Sequence, residues 1–487
     1  IAVKGGSLTS IVRPEIILPP AILESSSTQS QTFDPIDLLE HVRPWIAFMG
    51  DDASFKRFKE ELRSAADNQE VWLQMSQKRH LKSLDSTMLE WEQSIIYGHP
   101  THPPVTPADI HQMQRPKIAI ISVPPADVRV TRDFQGLMQP LFERLGIQHD
   151  QSGRVLIPCL EQQLPIIESH FPNMALLQIV EDCANAQAST RTLTLDPELE
   201  FPYNLKMALA CQITSAIRTV TPWTACGGPF ISDILATLLP SNFWVFKEVA
   251  SVTGSQKDFD IARHISCVIR EDLEPRAKAN GETLAVAAAL QERVFGKDST
   301  YPELLMGLKT VDQKLEWFGH YIRTLFNVSL PPAILHGIGL ELHPQNTAVR
   351  INLQTGKVSG FAIRDFGGIR LHGPTLRSEG VSLEWEVPDS GAVTDDITYV
   401  WDLVSHTLIQ CHVAGLLYAL GLDLYNGWEL VRVSLFEVLN GIDHPNSKVL
   451  YDYLTRETMK LKCFLGMRFQ GVYRSNIETE VPNITLS

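Results

Sequence analysis

The chain has 487 residues, beyond the length at which one hydrophobic core usually keeps growing, so two or three packed domains are expected. Hydrophobic residues make up 44% and charged residues 20%, ordinary globular proportions, and no apolar run approaches the roughly 20 residues of a membrane span, so no membrane partner is expected. A formal net charge of -14 argues against nucleic acid as a partner, and any anionic substrate must be held by a local basic pocket.

The chain opens at Ile1 rather than Met, and its start lacks the charged, apolar and small-residue order of a secretory leader. Residues 1–32, with Pro19-Pro20 and the polar run Ser25–Ser30, are expected as an extended arm or linker. Residues 33–115 read as a helical domain, because Leu38, Leu39, Val42 and Trp45, and later Leu81, Leu84, Met88, Leu89 and Trp91, recur at helical spacing. Near its end, Tyr97-Gly98-His99-Pro100-Thr101-His102-Pro103-Pro104 places two imidazoles on a backbone that proline keeps extended. His99 and His102 have no third soft ligand nearby, so contact with an anion is favoured over zinc.

Residues 116–335 mix strands with helices. Ile118–Val123 and Val155–Ile157 are compact β-branched runs bounded by Pro or Gly. Tyr203–Val220 passes from strand-like alternation to Thr214, Ser215, Arg218 and Thr219: hydroxyls that can each donate one hydrogen bond, and a guanidinium whose planar fork suits phosphate or carboxylate oxygens. Trp223–Pro229 then offers the pair Gly227-Gly228, where backbone can approach a ligand. No Gly-Lys-Ser/Thr follows, so this is not a Walker A loop. Arg270 closes a further apolar run beginning at Ser266.

Residues 336–487 are expected to open with a β-hairpin and then to be largely helical, through Tyr399–Leu422, Trp428–Asn440 and Val449–Lys462. The strongest local signal lies here: His336-Gly337-Ile338-Gly339-Leu340-Glu341-Leu342-His343-Pro344-Gln345-Asn346, then a hairpin turning at Thr355-Gly356, then Arg364-Asp365-Phe366-Gly367-Gly368. A register that sets Val349 opposite Ala362 brings Asn346 opposite Asp365, and an amide oxygen and a carboxylate are hard ligands suited to a phosphate-bound magnesium. Glu341 can complete that metal shell, and His343 can donate to a phosphate or carboxylate oxygen. Lys462 and Arg468 flank the last apolar segment. No internal repeat is present, and the seven cysteines include no Cys-x-x-Cys pair, which suits reduced thiols in a cytoplasmic protein.

In chain order, these segments resemble the NRPS-independent siderophore (NIS) synthetases of the aerobactin synthetase type. The resemblance is carried by Gly98–Pro103, Leu205-Lys206 with Thr214–Thr219, Ile269-Arg270-Glu271, Glu341–Asn346, Arg364-Asp365-Phe366 and Lys462–Arg468. It implies an α+β fold in a cupped-hand arrangement: a helical thumb over 33–115, mixed fingers with an antiparallel sheet over 116–335, and a palm over 336–487. It implies a reaction in which a polycarboxylic acid, citrate or a relative, attacks the α-phosphate of Mg-ATP and an amine or alcohol then displaces AMP. By motif position, Ser215, Arg218, Thr219, His343, Gln345 and Asn346 would bind ATP, with Arg218 and His343 catalytic. Asn346, Asp365 and Glu341 would hold Mg2+, and His99, His102, Arg270 and Lys462 would receive the acid. A homodimer is implied as well.

Two departures stand out. Where the family commonly continues the His-Pro segment with Lys and Arg, this chain has Pro104-Val105-Thr106-Pro107-Ala108-Asp109, and Ala216 replaces a hydroxyl before Arg218. Two alternatives accompany this reading. One is an aminoglycoside-kinase-like phosphotransferase, with Glu341 in place of the catalytic Asp. The other is an inactive homologue that binds or scaffolds.

Overall fold

The computed structural model describes residues 20–24, 29–46, 50–77, 80–96, 113–147, 153–213, 216–294, 296–386, 390–470 and 477–487. Part of the expected N-terminal arm is ordered structure, because β1 (Ala21–Glu24) pairs antiparallel with β2 (Gln29–Thr32). Three helices follow: α1 (Pro35–Ile46), α2 (Asp52–Ser76) and α3 (Met88–Ser94). Asp51 accepts from the Ser54 amide to cap α2, and Thr87 with Glu90 closes a reciprocal capping box on α3. The helical spacing read through Leu81 does not hold there. Leu81 is exposed ahead of α3, whereas Trp91 is enclosed in the main core.

The chain then supplies β3 (Ile118–Val123), β4 (Val128–Thr131), β5 (Val155–Leu160), β6 (Ala175–Val180), β7 (Ala184–Ala186), β8 (Thr192–Leu195) and β9 (Tyr203–Met207). A short ribbon of β10 (Gln212–Ile213) and β11 (Ala216–Ile217) leads into α4 (Pro222–Leu238). Next come β12 (Phe243–Val245), β13 (Glu248–Gly254), β14 (Ser266–Glu271), β15 (Glu282–Val286) and the long α5 (Val311–Leu335). Strands β5-β3-β6 form one antiparallel sheet, and β4-β13-β14-β9-β8-β7 form a second, six-stranded one.

Alternation along the six-stranded sheet decides what its two faces do. Leu205, Met207, Cys267, Ile269, Ala250 and Val252 point to one side and join β3 and β5 in a continuous apolar core. On the other side lie Asn204, Lys206, Arg270 and Glu248, which pair across β9, β14 and β13 as Asn204 with Arg270 and Arg270 with Glu248. A sheet buried on both faces usually shows apolar residues on both. Here the second face is polar and enclosed, which marks it as the floor of something other than a core.

Beyond α5 the chain forms β16 (Ile338–Gly339), the hairpin of β17 (Thr347–Asn352) and β18 (Val358–Ile363), β19 (Arg370–His372) and β20 (Val393–Thr394). The hairpin register differs from the expected one by a single residue: Val349 faces Phe361 and Ala348 faces Ala362. This shift puts Val349 and Phe361 on one face, where both are buried, whereas the expected register would have split the apolar sets between two faces. Strands β12 and β15, from before residue 336, flank the hairpin to complete a four-stranded sheet.

A helical run from Thr398 to Ala419 follows, widening to π-helical bonding over residues 404–413, then α6 (Gly427–Asn440) and α7 (Pro445–Leu454). The expected helix through Lys462 ends early. Residues Thr458–Lys462 form β21, paired antiparallel with β22 (Glu478–Pro482).

Candidate active site

The polar face of the six-stranded sheet meets the open end of the β17–β18 hairpin at Asp365. Asp365 adopts a left-handed backbone conformation (φ 64°), tolerable for Asp, and so turns its carboxylate away from the strand line. Lys206 Nζ donates to Asp365 Oδ1 at 2.8 Å and lies 3.5 Å from Glu248 Oε1, while Arg191 Nη2 stands 3.9 Å from Asp365 Oδ2. Burial opposes ionisation of Asp365, but Lys206 and Arg191 outweigh it and hold the carboxyl well below the usual range.

Glu248 needs space that only glycine provides. A Cβ on Gly228 would lie 1.9 Å from Glu248 Oε2. The Gly227-Gly228 pair, expected to let backbone approach a ligand, is buried inside α4, where Gly228 makes room for the Glu248 carboxylate and Gly227 for the Trp385 ring.

The Glu341–Asn346 loop closes the site from the other side. Leu342 N donates to Thr407 Oγ1, and its carbonyl is 3.0 Å from His412 Nδ1, so the π-helical segment grips the loop from behind. Gly368 lets Glu341 approach, since a Cβ there would lie 2.4 Å from Oε2. Burial and the nearby Asp365 charge push Glu341 up to about 7. His343 is open to solvent, yet the protein around it, then His406, Arg218 and Lys462, pushes it down to about 4. The Gln345 amide points at His343 Nδ1 from 3.4 Å, which makes Nδ1 the acceptor and leaves Nε2–H as the donor.

The structure thus gathers Arg218, His343, Asp365, Glu341 and Lys462 of the expected residues into mutual electrostatic range. The backbone of Asn346 pairs with Arg364 rather than with Asp365, a consequence of the one-residue register shift. Gln345 contributes its carbonyl to Arg364, and the Thr219 carbonyl accepts from Arg191 Nη1 at 2.7 Å. His99, His102 and Ser215 lie outside the described residues.

Arg270 is not an open acid receptor. It is buried, donates to Gln187 Oε1 at 2.6 Å, and is pushed down to about 10 by burial and by Arg364. Arg468 is tied to Glu61 on α2, with Nε 2.7 Å from the carboxylate.

Sequence reasoning gave no role to Arg191, Glu248 or Arg370. Lys206 had a usable signal, a charge set between Leu205 and Met207 of a buried strand; Arg191 and Glu248 had none.

The IucA / IucC family pattern matches residues 132–292, and a pattern described as ferric iron reductase FhuF-like transporter matches residues 315–475. The chain is 36% identical to the NRPS-independent siderophore synthetase-like protein ankE of Aspergillus thermomutatus, over 96% of this chain and 80% of that protein. It belongs to the IucA/IucC family of NRPS-independent siderophore synthetases. Within this family it is also 24% identical to staphyloferrin A synthase of Staphylococcus aureus, over 85% of this chain and 74% of that one. The fold matches ATP-bound aerobactin synthetase IucA of Klebsiella pneumoniae with a TM-score of 0.76 at 15% identity, covering 96% of this chain and 89% of the other. It matches the petrobactin biosynthesis protein AsbB of Bacillus anthracis with a TM-score of 0.75 at 19% identity, covering 94% and 84%. An α+β synthetase fold is thereby established, and membership of a ligase family displaces the kinase reading.

Among the described residues no group of three His, Cys, Asp or Glu side chains is spaced to hold a metal ion by itself. Asp365 and Glu341 nonetheless fit a magnesium that arrives on phosphates, because such an ion commonly takes only one or two protein carboxylates. The Asp365 charge adds to burial in raising Glu341, so a cation shared by the two carboxylates would relieve repulsion between them.

Proposed function

We propose that this synthetase adenylates a polycarboxylic acid, citrate or a close relative, and condenses it with an amine or alcohol. The observation that carries the reading is the set of cations around Asp365 and Glu341: Arg191, Lys206, Arg218, Arg370 and Lys462. Lys206 is fully engaged by carboxylates. Arg218 is different: its Nε is buried and has no hydrogen-bond partner among the described residues, and burial followed by Arg191 pushes it down to about 10. Two guanidiniums held together against their repulsion suit an anion of high charge density, such as a triphosphate.

In this reading a substrate carboxylate oxygen attacks the α-phosphorus of ATP, and the bond to pyrophosphate breaks. Arg218 and Arg191 stabilise the charge growing on the phosphoryl oxygens, and neutral His343 donates through Nε2–H. Asp365 and Glu341 would hold Mg2+, whose chemistry there is charge neutralisation on the phosphates. Lys462 receives a carboxylate of the acid. The amine or hydroxyl then attacks the acyl carbon and AMP leaves, with the nucleophile's proton passing to solvent. The regions 33–115, 116–335 and 336–487 would act as thumb, fingers and palm around this one cleft. Relatives carry names such as D-ornithine–citrate ligase, which supports citrate and an amine as the substrate classes.

The nucleotide product tests the mechanism. Incubation with ATP, a panel of polycarboxylic acids and hydroxylamine should yield AMP and pyrophosphate, separable by ion-exchange chromatography. Stoichiometric ADP without AMP would overturn the adenylating reading even if every proposed residue proved essential.

A further inference from the structure

Beneath the site lies a buried network that the mechanism above does not use. Arg364 immediately precedes Asp365 and is enclosed. Its Nε and Nη2 donate to the Gln345 carbonyl at 3.1 and 2.7 Å, and its Nη1 donates to Gln187 Oε1 at 3.1 Å. One guanidinium therefore ties the loop holding His343, Gln345 and Asn346 to the residue before Asp365. Arg270 claims the same Gln187 oxygen from the other side, so two buried guanidiniums converge on one neutral amide.

The compensating charge comes from far away in sequence. Glu92, on α3 and 1% exposed, forms an ion pair with Arg364 Nη1, and its other oxygen accepts from the Ala188 amide at 3.0 Å. Helix α3 is itself pinned at both ends, with Met88 N donating to Glu274 and Ile96 N donating to Glu292. Trp91 anchors it in the main core. A rigid element thus presents one carboxylate to one arginine. Without that carboxylate, repulsion from Arg270 would push Arg364 off the Gln345 carbonyl, because like charges in a low-dielectric setting are poorly screened.

We infer that Glu92 is a positioning residue for the reaction, setting the Gln345–Asn346 loop against Asp365 through Arg364 without touching substrate. This rests on the reading of that loop as the nucleotide site. It predicts a defect in nucleotide binding that follows the charge balance among Glu92, Arg364 and Arg270, not the stability of the fold.

The test is calorimetric titration of the full chain with magnesium and α,β-methylene-ATP, alongside thermal melts. Glu92→Gln should weaken nucleotide binding by about tenfold or more, in line with the loss of a group that orients first-contact residues. The double variant Glu92→Gln/Arg270→Gln removes the repulsion and should recover most of the affinity. Should Glu92→Gln fail to fold, Glu92→Asp keeps the charge while drawing Arg364 out of place, and severalfold weaker binding is expected. Unchanged affinity in the folded single variants, or a defect that Arg270→Gln does not relieve, would overturn the inference. No nucleotide binding by the unmodified protein would instead remove the reading of the site on which it rests.

Discussion

Lys206 and Lys462 both act on Glu341, but only Lys206 is also bonded to Asp365, and the two are prepared for different work. Lys206 stands on the six-stranded sheet with its side chain 1% exposed, fixed between Asp365 and Glu248. Lys462 ends β21, is half-buried, and among the described residues forms no ion pair within 4 Å. On the sheet wall, cations and carboxylates neutralise one another and hold geometry. On the loop wall, Lys462 and neutral His343 keep unspent capacity for a ligand. Mutations on the first wall should therefore disturb fold and chemistry together, and loss of Lys462 on the second should disturb chemistry alone.

The largest effect should come where the walls meet. Asp365→Ala strips Lys206 of its shorter ion pair and removes the carboxylate nearest Arg191, so pyrophosphate release should fall by about a thousandfold or more. Leaving a buried ammonium with only Glu248 should also cost on the order of 3 kcal/mol. Activity within severalfold of the unmodified protein, in a folded sample, would break the comparison at its centre. Gly228→Ala should come next. Its methyl group would drive into Glu248 Oε2, and displacing that carboxylate should lower Tm by about 2 °C or more while reducing turnover. A melt unchanged by this substitution would show that Glu248 is not fixed as described.

These two positions also show what could be read from sequence and what could not. The loop Glu341–Asn346, the hairpin and Asp365 were legible because turn residues, alternating strands and polar side chains coincide within about thirty residues. Register failed by one residue, since the sequence pattern permits either pairing and packing of Val349 against Phe361 decides. The glycine pair was legible as unusual, but not Gly228 as the space for Glu248, whose approach depends on a strand twenty residues further on. The burial of Arg270, which the resemblance implies as a receiver of the acid, could not be read from its own segment because it is set by Gln187, Arg364 and Glu92 on separate elements. Glu92 carried no signal, for a carboxylate on a short helix looks like any solvated one until its neighbours are known.

Lys462→Ala sharpens the comparison on the loop wall. Loss of one charge-assisted contact to the acid should reduce kcat/KM for the acid by about tenfold to a hundredfold. Melts of this variant should match the unmodified protein, because Lys462 has no ion pair among the described residues to lose. A loss confined to ATP affinity would move Lys462 to the nucleotide and leave the acid without its assigned cation.

The smallest effect is a change in how stability depends on pH in the nucleotide-free protein. Burial and then Asp365 raise Glu341 from 4.5 to about 7, against the pull of Lys462, Arg370 and Lys206. Between those values the folded protein keeps a proton that the unfolded chain has released. Stability attributable to Glu341 therefore falls as pH rises through this window and levels off above about 7. His343 contributes with the opposite sign: the protein around this solvent-touching ring, then His406, Arg218 and Lys462, lower it from 6.5 to about 4, so the folded protein binds fewer protons in between and stability rises with pH there, by an amount that solvent contact reduces. His264, His406 and His412, each lowered to about 4 chiefly by burial, add to that rise. The opposing slopes overlap below about pH 6.5, so Glu341 is best seen by difference. Glu341→Gln imitates the protonated carboxyl and removes its slope, which is at most about 1.4 kcal/mol per pH unit and is reduced by the solvent that reaches a partly exposed side chain. Relative to the unmodified protein, the variant should gain thermal stability as pH climbs from about 5 to about 7.5, with little further gain above. A stability difference that stays flat across that range would mean that burial and Asp365 do not hold a proton on Glu341, and the repulsion that a shared cation is proposed to relieve would be absent.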